Sequence, residues 1–350
     1  MKGIILHGGH GTRLKPLTDS GPKQLIPIAN KPMSQYALED LKNLGITEIA
    51  IIIGDVFPEK VRDYYGDGSK FGVNITYVYQ EEPKGISHAI SLCKEFVDND
   101  RFVVYLGDNI LRKGLGNLRT TFEESDYESL ILLVEVDNPS SFGIAELKED
   151  KLVNIVEKPK DPKSNLAVIG IYFFTPLIFE IIEKLKPSWR GELEVTDALQ
   201  LLLESGKKIG FEMVTGWWKD TGTPDDILDA HKLILDTLGI STKLISEQEM
   251  DKKNKIIIGK NVSISSESEI IGPVILGNNC TIGSNVKLGP YVSLGNNCSI
   301  ENFSIKNCIV MNQCQMSGNN SLTNSIIGTN SKINQKLLES SVILAENSFL

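Results

Sequence analysis

A period of six residues in the last third of the chain constrains the fold more than any other feature. Ile258, Ile264, Ile270, Leu276, Ile282, Leu288, Leu294 and Ile300 follow one another at six-residue steps. Glycine follows the aliphatic residue at 259, 277, 283, 289 and 295. Two residues ahead of the aliphatic stand short side chains, among them Val262, Ser268, Val274, Cys280, Val286, Val292 and Cys298. Helices repeat every 3.6 residues and strands every two, so neither gives this spacing. A left-handed parallel β-helix built on hexapeptides does, with three hexads closing one triangular coil. A chance run of Ile-Gly dipeptides does not hold phase over so many positions. Cys280 and Cys298 fall at inward corners and read as packing residues. The pattern weakens after about 305, where Asn and Ser dominate, and returns faintly at Ile326-Ile327-Gly328 and Ile333.

Residues 1 to about 240 obey a different rule. Lys2–Leu6, Ile49–Ile53, Ile75–Tyr79 and Phe102–Leu106 read as aliphatic strands. Helical patterns lie between them at Met33–Leu44, Phe57–Tyr65 and Ile86–Phe96, with Gly45 as a helix stop. Strand, helix, strand in repetition predicts an α/β domain with a mixed, mostly parallel sheet covered by helices. A less regular part follows: a strand at Leu130–Val136, a hairpin of Gly143–Leu147 and Leu152–Val156, a strand at Ala167–Phe174, helices at Leu177–Leu185 and Val195–Ser205, and a strand at Ile209–Val214. Pro224 opens a helix to about Leu238. The polar stretch 241–255 reads as a linker. The expected organisation is a first domain over 1–240, a linker over 241–255 and the β-helix over 256–350.

Ligands on such sheets bind beyond the carboxyl ends of the strands. The first strand empties into His7-Gly8-Gly9-His10-Gly11-Thr12-Arg13, and Lys23 follows in Pro22-Lys23-Gln24-Leu25. Bare glycine backbone with Arg13 and Lys23 suits a polyphosphate. The run is neither the dinucleotide fingerprint, whose third glycine would fall at Leu14, nor a P-loop, since no Gly-Lys-Ser/Thr follows. Asp108 in Leu106-Gly107-Asp108-Asn109 and Asp220 after Trp218 both sit at strand exits. Two carboxylates plus phosphate oxygens are ligands that Mg²⁺ accepts. Each Asp taken singly is equally a turn former. Glu157-Lys158-Pro159 closes the hairpin, and Gln80 precedes Pro83 and Gly85.

These motifs, in this order, resemble the sugar-1-phosphate nucleotidylyltransferases. The resemblance rests on Gly-Gly-x-Gly-Thr-Arg-Leu, Pro-Lys-Gln-Leu, Gln80-x-x-Pro83-x-Gly85, Leu-Gly-Asp-Asn, Phe142-Gly143, Glu-Lys-Pro, Arg190 to Asp197 and Trp218-Lys219-Asp220-Thr221-Gly222, and it covers about residues 1–240. Within the family the sequence is most similar to the long form of the glucose-1-phosphate thymidylyltransferases, and Gln24 favours the thymidylyl branch. The resemblance implies that Leu6, Gly8, Gly9, Gly11 and Thr12 wrap the nucleotide, with Arg13 on the triphosphate. It implies that Lys23 stabilises the transferring phosphate, that Gln80 and Gly85 read the base, and that Asp108 and Asp220 hold Mg²⁺. Gly143, Glu157, Lys158, Val168, Gly170 and Trp218 would line the sugar-phosphate pocket. His7 departs from the family, which usually carries Ala there, and His88 stands where many short forms carry Gln. His7 and His10 beside a triphosphate would make activity sensitive to pH.

The implied reaction joins dTTP and glucose 1-phosphate to give dTDP-glucose and pyrophosphate. The sugar phosphate is mostly dianionic near neutral pH, so its oxygen attacks the α-phosphorus without a general base. The obstacle is bringing two anions together, which Mg²⁺, Arg13, Lys23, Lys158 and the carboxylates address electrostatically. UTP in place of dTTP stays open, because one methyl and one hydroxyl discriminate weakly by packing alone.

Bulk properties bound the rest. The chain has 350 residues and a formal charge of −9, which argues against general nucleic-acid affinity. Its five cysteines match no zinc spacing and read as buried thiols of a cytoplasmic protein. The N-terminal apolar run is too short for a signal peptide, and no membrane span is expected. A second, acyltransferase activity in the β-helix is disfavoured, since His7, His10, His88 and His231 all precede it. An inactive nucleotide-sugar sensor is disfavoured by the presence of Arg13, Lys23, Asp108, Lys158 and Asp220. The β-helix is expected to serve assembly into a homo-oligomer, or stability.

Overall fold

The computed structural model describes residues 1–111, 114–238, 249–251, 254–337 and 340–350. They divide into two compact units, one of Met1–Gly9 and Ser34–Lys219 and one of His10–Met33 and Asp220–Leu350.

The first unit is built on a nine-stranded mixed sheet. Its parallel half orders Phe102–Leu106, Lys2–Leu6, Glu48–Ile53 and Asn74–Tyr79 side by side, with Leu6 level with both Ile52 and Leu106 and Ile53 level with Tyr79. Ile4, Ile5, Ile51, Ile52, Phe102 and Val104 are fully buried. Strands with no polar face demand cover on both sides, which the crossover helices supply. Met33–Asn43 turns Ala37, Leu38 and Leu41 inward and ends at Gly45 with φ +74°, the left-handed geometry that stops a helix. The antiparallel half places Leu166–Phe174 against Phe102–Leu106, then adds the hairpin Gly143–Lys148 and Lys151–Glu157. Ser129–Glu135 also pairs with Leu166–Phe174 and carries Ile209–Met213 in parallel.

One expectation for this unit changes in detail, and one element is new. The helix expected over Ile86–Phe96 is two short ones, Ile86–Ser91 and Lys94–Val97. Cys93 N donates to Ile90 O, so the backbone tightens to a three-residue step there. A helix at Leu118–Glu124 is additional.

The second unit starts with three 3₁₀ turns, Thr12–Leu14, Leu17–Asp19 and Lys23–Leu25, followed by a hairpin of Pro27–Ile28 and Lys31–Pro32. Its helix, Pro224–Asp236, begins with Pro224 as expected and carries a capping box, in which Asp226 N donates to Thr223 Oγ1 and Thr223 N to Asp226 Oδ2.

The rest of the unit is a domain of short parallel strands. Pairing runs in three rows: Ile258 to Leu276 to Leu294 to Val310 to Ile327 to Leu344; Ile264 to Ile282 to Ile300 to Met316 to Ile333; and Ile270 to Leu288 to Ile305 to Leu322. The hexad aliphatics from 276 to 300, with Cys280 and Cys298, form its core, joined by Ile305, Cys308, Val310, Cys314, Met316, Leu322, Ile327 and Ile333.

The register explains why the repeat fades after 305. Strand partners are 18 residues apart up to Ile300, then 16 or 17. Where Leu288 and Val292 are separated by Gly289-Pro290-Tyr291, Ile305 and Cys308 are separated only by Lys306-Asn307, and one strand runs from Phe303 to Val310. The Asn-rich composition also has a physical cause. Asn261, Asn279, Asn285, Asn297, Asn302, Asn307, Asn324, Asn330 and Asn347 have φ between +48° and +61°, a region that Asn tolerates better than other L-residues. Their amides stack, as in Asn261 to Asn279 at 3.1 Å and Asn279 to Asn297 at 3.2 Å.

The linker expected over 241–255 falls largely outside the described residues. Within it, Glu249–Asp251 pairs antiparallel with Ile256–Ile258. Among the described residues, no helix is long and apolar enough to cross a membrane.

Candidate active site

The parallel strands of the first unit deliver three loops to one sheet edge. His7 N donates to Ile52 O, Gln80 N to Ile53 O and Gly107 N to Leu6 O, at 2.8 to 3.0 Å. Leu6, Gly8, Gln80 and Asp108 therefore leave the sheet at one level, as the strand reading expected. Gln80 is buried at 6 % exposure. An ideal Cβ placed on Gly8 would lie 3.7 Å from Gln80 Oε1, so the amide faces the glycine backbone at ordinary contact distance. Gln80 Nε2 lies 3.0 Å from His88 Nδ1. Burial, then the charge of Lys84, holds the His88 pKa below the ordinary value, so the neutral imidazole is favoured as the amide's partner.

Gly85 is required by its surroundings. Its φ is +102°, and a Cβ there would sit 2.5 Å from the Leu193 carbonyl oxygen. The same approach lets Ser87 N donate to Leu193 O and Leu193 N donate to Lys84 O.

A second cluster forms around Glu157, which pairs with Gly143 across the hairpin. Glu157 Oε2 accepts from Thr196 Oγ1 at 2.9 Å, while Oε1 lies 3.4 Å from Arg190 Nη1 and 3.7 Å from Lys158 Nζ. Arg190 also pairs with Glu192 at 2.6 Å and Glu194 at 3.7 Å. Its pKa is raised, first by the Glu192 hydrogen bond. Burial raises Glu194 and Asp197 in the same region. A Cβ on Gly143 would fall 2.3 Å from Thr196 Cγ2, so glycine is what lets the hairpin approach this helix. Lys158 adopts φ +41° and its N–H donates to Phe142 O, which turns the Glu-Lys pair at the strand end.

Val168 and Gly170 lie on Leu166–Phe174. Asn109 Oδ1 ties this wall together, accepting from Gly170 N at 3.2 Å and from Trp218 Nε1 at 2.7 Å. Trp218 meets Phe142 edge-on, with ring centroids 5.6 Å apart. Sequence reading missed Arg190, Thr196 and Asn109 as site residues. Arg190 and Thr196 lie within a quoted motif, but their partner Glu157 is more than thirty positions away.

The second unit carries Gly11, Thr12, Arg13, Lys23 and Asp220. Gly11 has φ +60°, and a Cβ on it would meet Thr18 Cγ2 at 2.9 Å and Lys23 Cβ at 3.2 Å. Thr18 Oγ1 donates to Gly11 O. Arg13 is exposed, and its guanidinium lies over Gly222, where a Cβ would be 2.7 Å from Nη2. Gln24 is buried at 1 % exposure. His7, in the first unit, is buried with its ring 5.8 Å from that of Tyr65, whereas His10 is exposed.

Each unit holds one of the two expected carboxylates, of the kind a hard cation accepts. Asp108 and Asp220 offer carboxylate oxygens at partly exposed strand ends, and Asp108 Oδ1 accepts from Asn109 Nδ2. Among the described residues there is no cluster of three or more His, Cys, Asp or Glu that could hold a metal. Mg²⁺ commonly takes one or two carboxylates and draws its other ligands from phosphates and water.

Each unit thus presents its own set of polar groups: in the first, a buried amide against glycine backbone and a braced carboxylate at strand ends, and in the second, a glycine turn with Arg13 and Lys23 nearby. The chain belongs to the nucleotidyl transferase family, whose model matches residues 2–237; residues 270–348 match the GMPPB C-terminal domain. It is 53 % identical over 237 residues to the low-salt glycan biosynthesis nucleotidyltransferase Agl11 of Haloferax volcanii, covering 67 % of this chain and 66 % of that protein. It is 41 % identical over 275 residues to a glucose-1-phosphate thymidylyltransferase of Streptomyces antibioticus, covering 78 % and 77 %. A Bacillus anthracis crystal structure, described as a glucose-1-phosphate thymidylyltransferase in complex with a sucrose, is similar at a TM-score of 0.64 and 42 % identity, covering 67 % of this chain and 94 % of that one.

Proposed function

We propose that this protein transfers a nucleotidyl group, dTMP from dTTP, to glucose 1-phosphate, releasing pyrophosphate and forming dTDP-glucose. The observation that carries the reading is the first unit's pair of clusters: Gln80 against Gly8 at one set of strand ends, and Glu157 braced by Thr196 and Arg190 beside Gly143. The first suits the donor–acceptor edge of a pyrimidine and the second the hydroxyls of a sugar. The thymidylyltransferase relatives support the choice of nucleotide.

In this reading Arg13 holds the triphosphate and Lys23 stabilises charge on the transferring phosphate. Lys158 binds the sugar phosphate and aligns its oxygen with the α-phosphorus. Glu157 accepts from a sugar hydroxyl, and Gln80 and Gly85 read the base. Asp108 and Asp220 would hold Mg²⁺, which supplies neutralisation of phosphate charge when bound. The dianionic nucleophile needs no base, so these groups act through alignment and electrostatic stabilisation. We also read residues 1–240 as the catalytic domain and 256–350 as a left-handed parallel β-helix that serves assembly or stability. No His lies in that domain, which disfavours an acyl transfer there.

The test is pyrophosphate release with Mg²⁺ and glucose 1-phosphate, with dTTP and UTP in parallel and an EDTA control. Metal-dependent release favouring dTTP is expected. Equal or better use of UTP would move the product to UDP-glucose. No release with any nucleotide would overturn the reading.

A further inference from the structure

The segment carrying Arg13 and Lys23 ends in the hairpin Pro27–Pro32, whose two turn residues, Ala29 and Asn30, have φ of +51° and +63°. Hairpin tips ordinarily face solvent, yet Ala29 is 3 % exposed. Its N–H donates to Nδ1 of His231 at 3.2 Å, and His231, on the helix Pro224–Asp236, is fully buried. Asn30 Nδ2 donates to the Leu294 carbonyl at 2.6 Å, which joins the hairpin directly to the parallel-strand domain.

The helix is joined to the same domain. Tyr291 OH donates to Asp236 Oδ1 at 3.1 Å, and Lys255 Nζ to the Asp236 carbonyl at 3.0 Å. It packs on the hairpin strand Pro27–Ile28 and on strands 303–310 and 320–327. Side chains alternate along a strand, and Val274, Leu276, Val292, Leu294, Cys308 and Val310 already face the domain's core. Ile275, Ser293, Ile309 and Ile326 therefore form a ladder on the other face. All four are fully buried. An outward row with no exposed member is a face already covered, and the helix Pro224–Asp236 packs on the strands that carry Ile309 and Ile326.

From the hairpin, contacts run back to the cations. Met33 N donates to Ile26 O and Ile26 N to Lys23 O. Lys23 abuts Gly11, whose carbonyl is held by Thr18. Arg13 rests over Gly222, just ahead of the same helix.

We infer that the parallel-strand domain is a positioning element for the phosphate-binding loop, with Asn30 and His231 as the positioning residues that hold Arg13 and Lys23 in place. The inference rests on the nucleotidyl-transfer reading for its kinetic consequence, but not for its structural one. It gives the C-terminal domain a role in turnover without any catalytic residue of its own.

The test uses the full chain. Asn30→Gly keeps the positive φ and removes the side-chain donor. His231→Asn keeps an acceptor near the Nδ1 position, and His231→Leu removes it. Asn279→Gly, which breaks the amide stack with Asn261 and Asn297 in the same domain, is the control. Amide hydrogen exchange over residues 11–28 should quicken in Asn30→Gly and His231→Leu and stay at the parental rate in His231→Asn and Asn279→Gly. kcat/KM for the nucleotide should fall ~10-fold or more in the first two, the scale of a small misplacement of binding groups, with KM for glucose 1-phosphate unchanged. Unchanged exchange in Asn30→Gly overturns the attachment. Faster exchange with unchanged nucleotide kinetics overturns the positioning role. A parental protein that releases no pyrophosphate defeats the proposed function instead, and the exchange measurement still decides whether the loop is held.

Discussion

Replacing Thr196 by Val is a near-isosteric change that removes one hydrogen-bond donor from the cluster around Glu157. The hydroxyl donates to Glu157 Oε2 at 2.9 Å, and Thr196 is 2 % exposed, so water does not readily take its place. A hydrogen bond to a charged acceptor contributes about 1.5–3 kcal/mol. At about 1.4 kcal/mol per tenfold, full loss in the transition state corresponds to roughly 10- to 150-fold. Arg190 and Lys158 remain on the other oxygen at 3.4 and 3.7 Å, so the carboxylate keeps those two partners and loses only the bond that fixes its second oxygen. We therefore expect the lower part of that range, about 10- to 30-fold, in kcat/KM for glucose 1-phosphate. KM for the nucleotide should not move. Thr196→Ser should restore most of the loss, because it returns the donor. The assay is initial-rate pyrophosphate release with each substrate varied in turn. A Thr196→Val enzyme within twofold of the parent for the sugar phosphate would refute the argument that this bond holds Glu157 for the sugar.

Arg13→Ala and Asp220→Ala should each lower turnover by at least ~10²-fold, the scale of removing one transition-state charge partner, and near-normal rates in either would break its assignment. Gly222→Ala puts a methyl 2.7 Å from Arg13 Nη2; turning the guanidinium aside should raise KM for the nucleotide ~10-fold, with sugar kinetics as the internal control. Gly85→Ala combines φ +102° with a Cβ 2.5 Å from a carbonyl oxygen; a cost of about 2–4 kcal/mol should lower Tm by roughly 5–15 °C in calorimetry, at ~2–4 °C per kcal/mol for a unit this size. His231 is pushed down from 6.5 to about 3, chiefly by burial. The unfolded state then binds the proton that the folded state refuses, so this stabilising difference is present above pH 6.5 and lost as pH falls toward 3. That separation amounts to about 4–5 kcal/mol at the acid end. Urea melts from pH 7 to 4 should show a shallower pH slope in His231→Asn than in the parent, and parallel slopes would contradict the buried-imidazole account.

What was legible in the sequence is what depends on local periodicity. Ile4-Ile5-Leu6 and Ile49 to Ile53 read as aliphatic strands, and the hexad aliphatics read as inward positions of equal steps. The same logic failed where a step changed length. Once Gly289-Pro290-Tyr291 gives way to Lys306-Asn307, Ile305, Val310 and Met316 keep their inward places but leave the six-residue phase. The sugar-side brace was illegible for another reason. Arg190 and Thr196 reach Glu157 only because Gly143 admits the helix that Thr196 occupies, and no spacing rule links four residues placed that way. The hairpin tip at Ala29-Asn30 was likewise silent, since its partners are a His 202 positions away and a carbonyl 264 positions away.

The distribution of groups between the units gives the chemistry a further logic. In the proposed reading, base and sugar recognition fall to Gln80, Gly85, Glu157 and Lys158, of which Gln80, Glu157 and Lys158 stand at strand ends of a nine-stranded sheet. In the same reading the triphosphate cations are Arg13 and Lys23, which stand on 3₁₀ turns. Joining two anions demands that positive charge be fixed before they meet, because a cation that must reorganise during the reaction contributes little. Short turns are poor supports for that task. In this chain the turns are closed by a hairpin whose tip is buried, and that tip is bonded to a helix and to a strand of the parallel-strand domain. A fixed loop is thus achieved by tertiary attachment rather than by local structure, and at the hairpin tip that attachment is made with amide, imidazole and carbonyl groups that do not compete for phosphate.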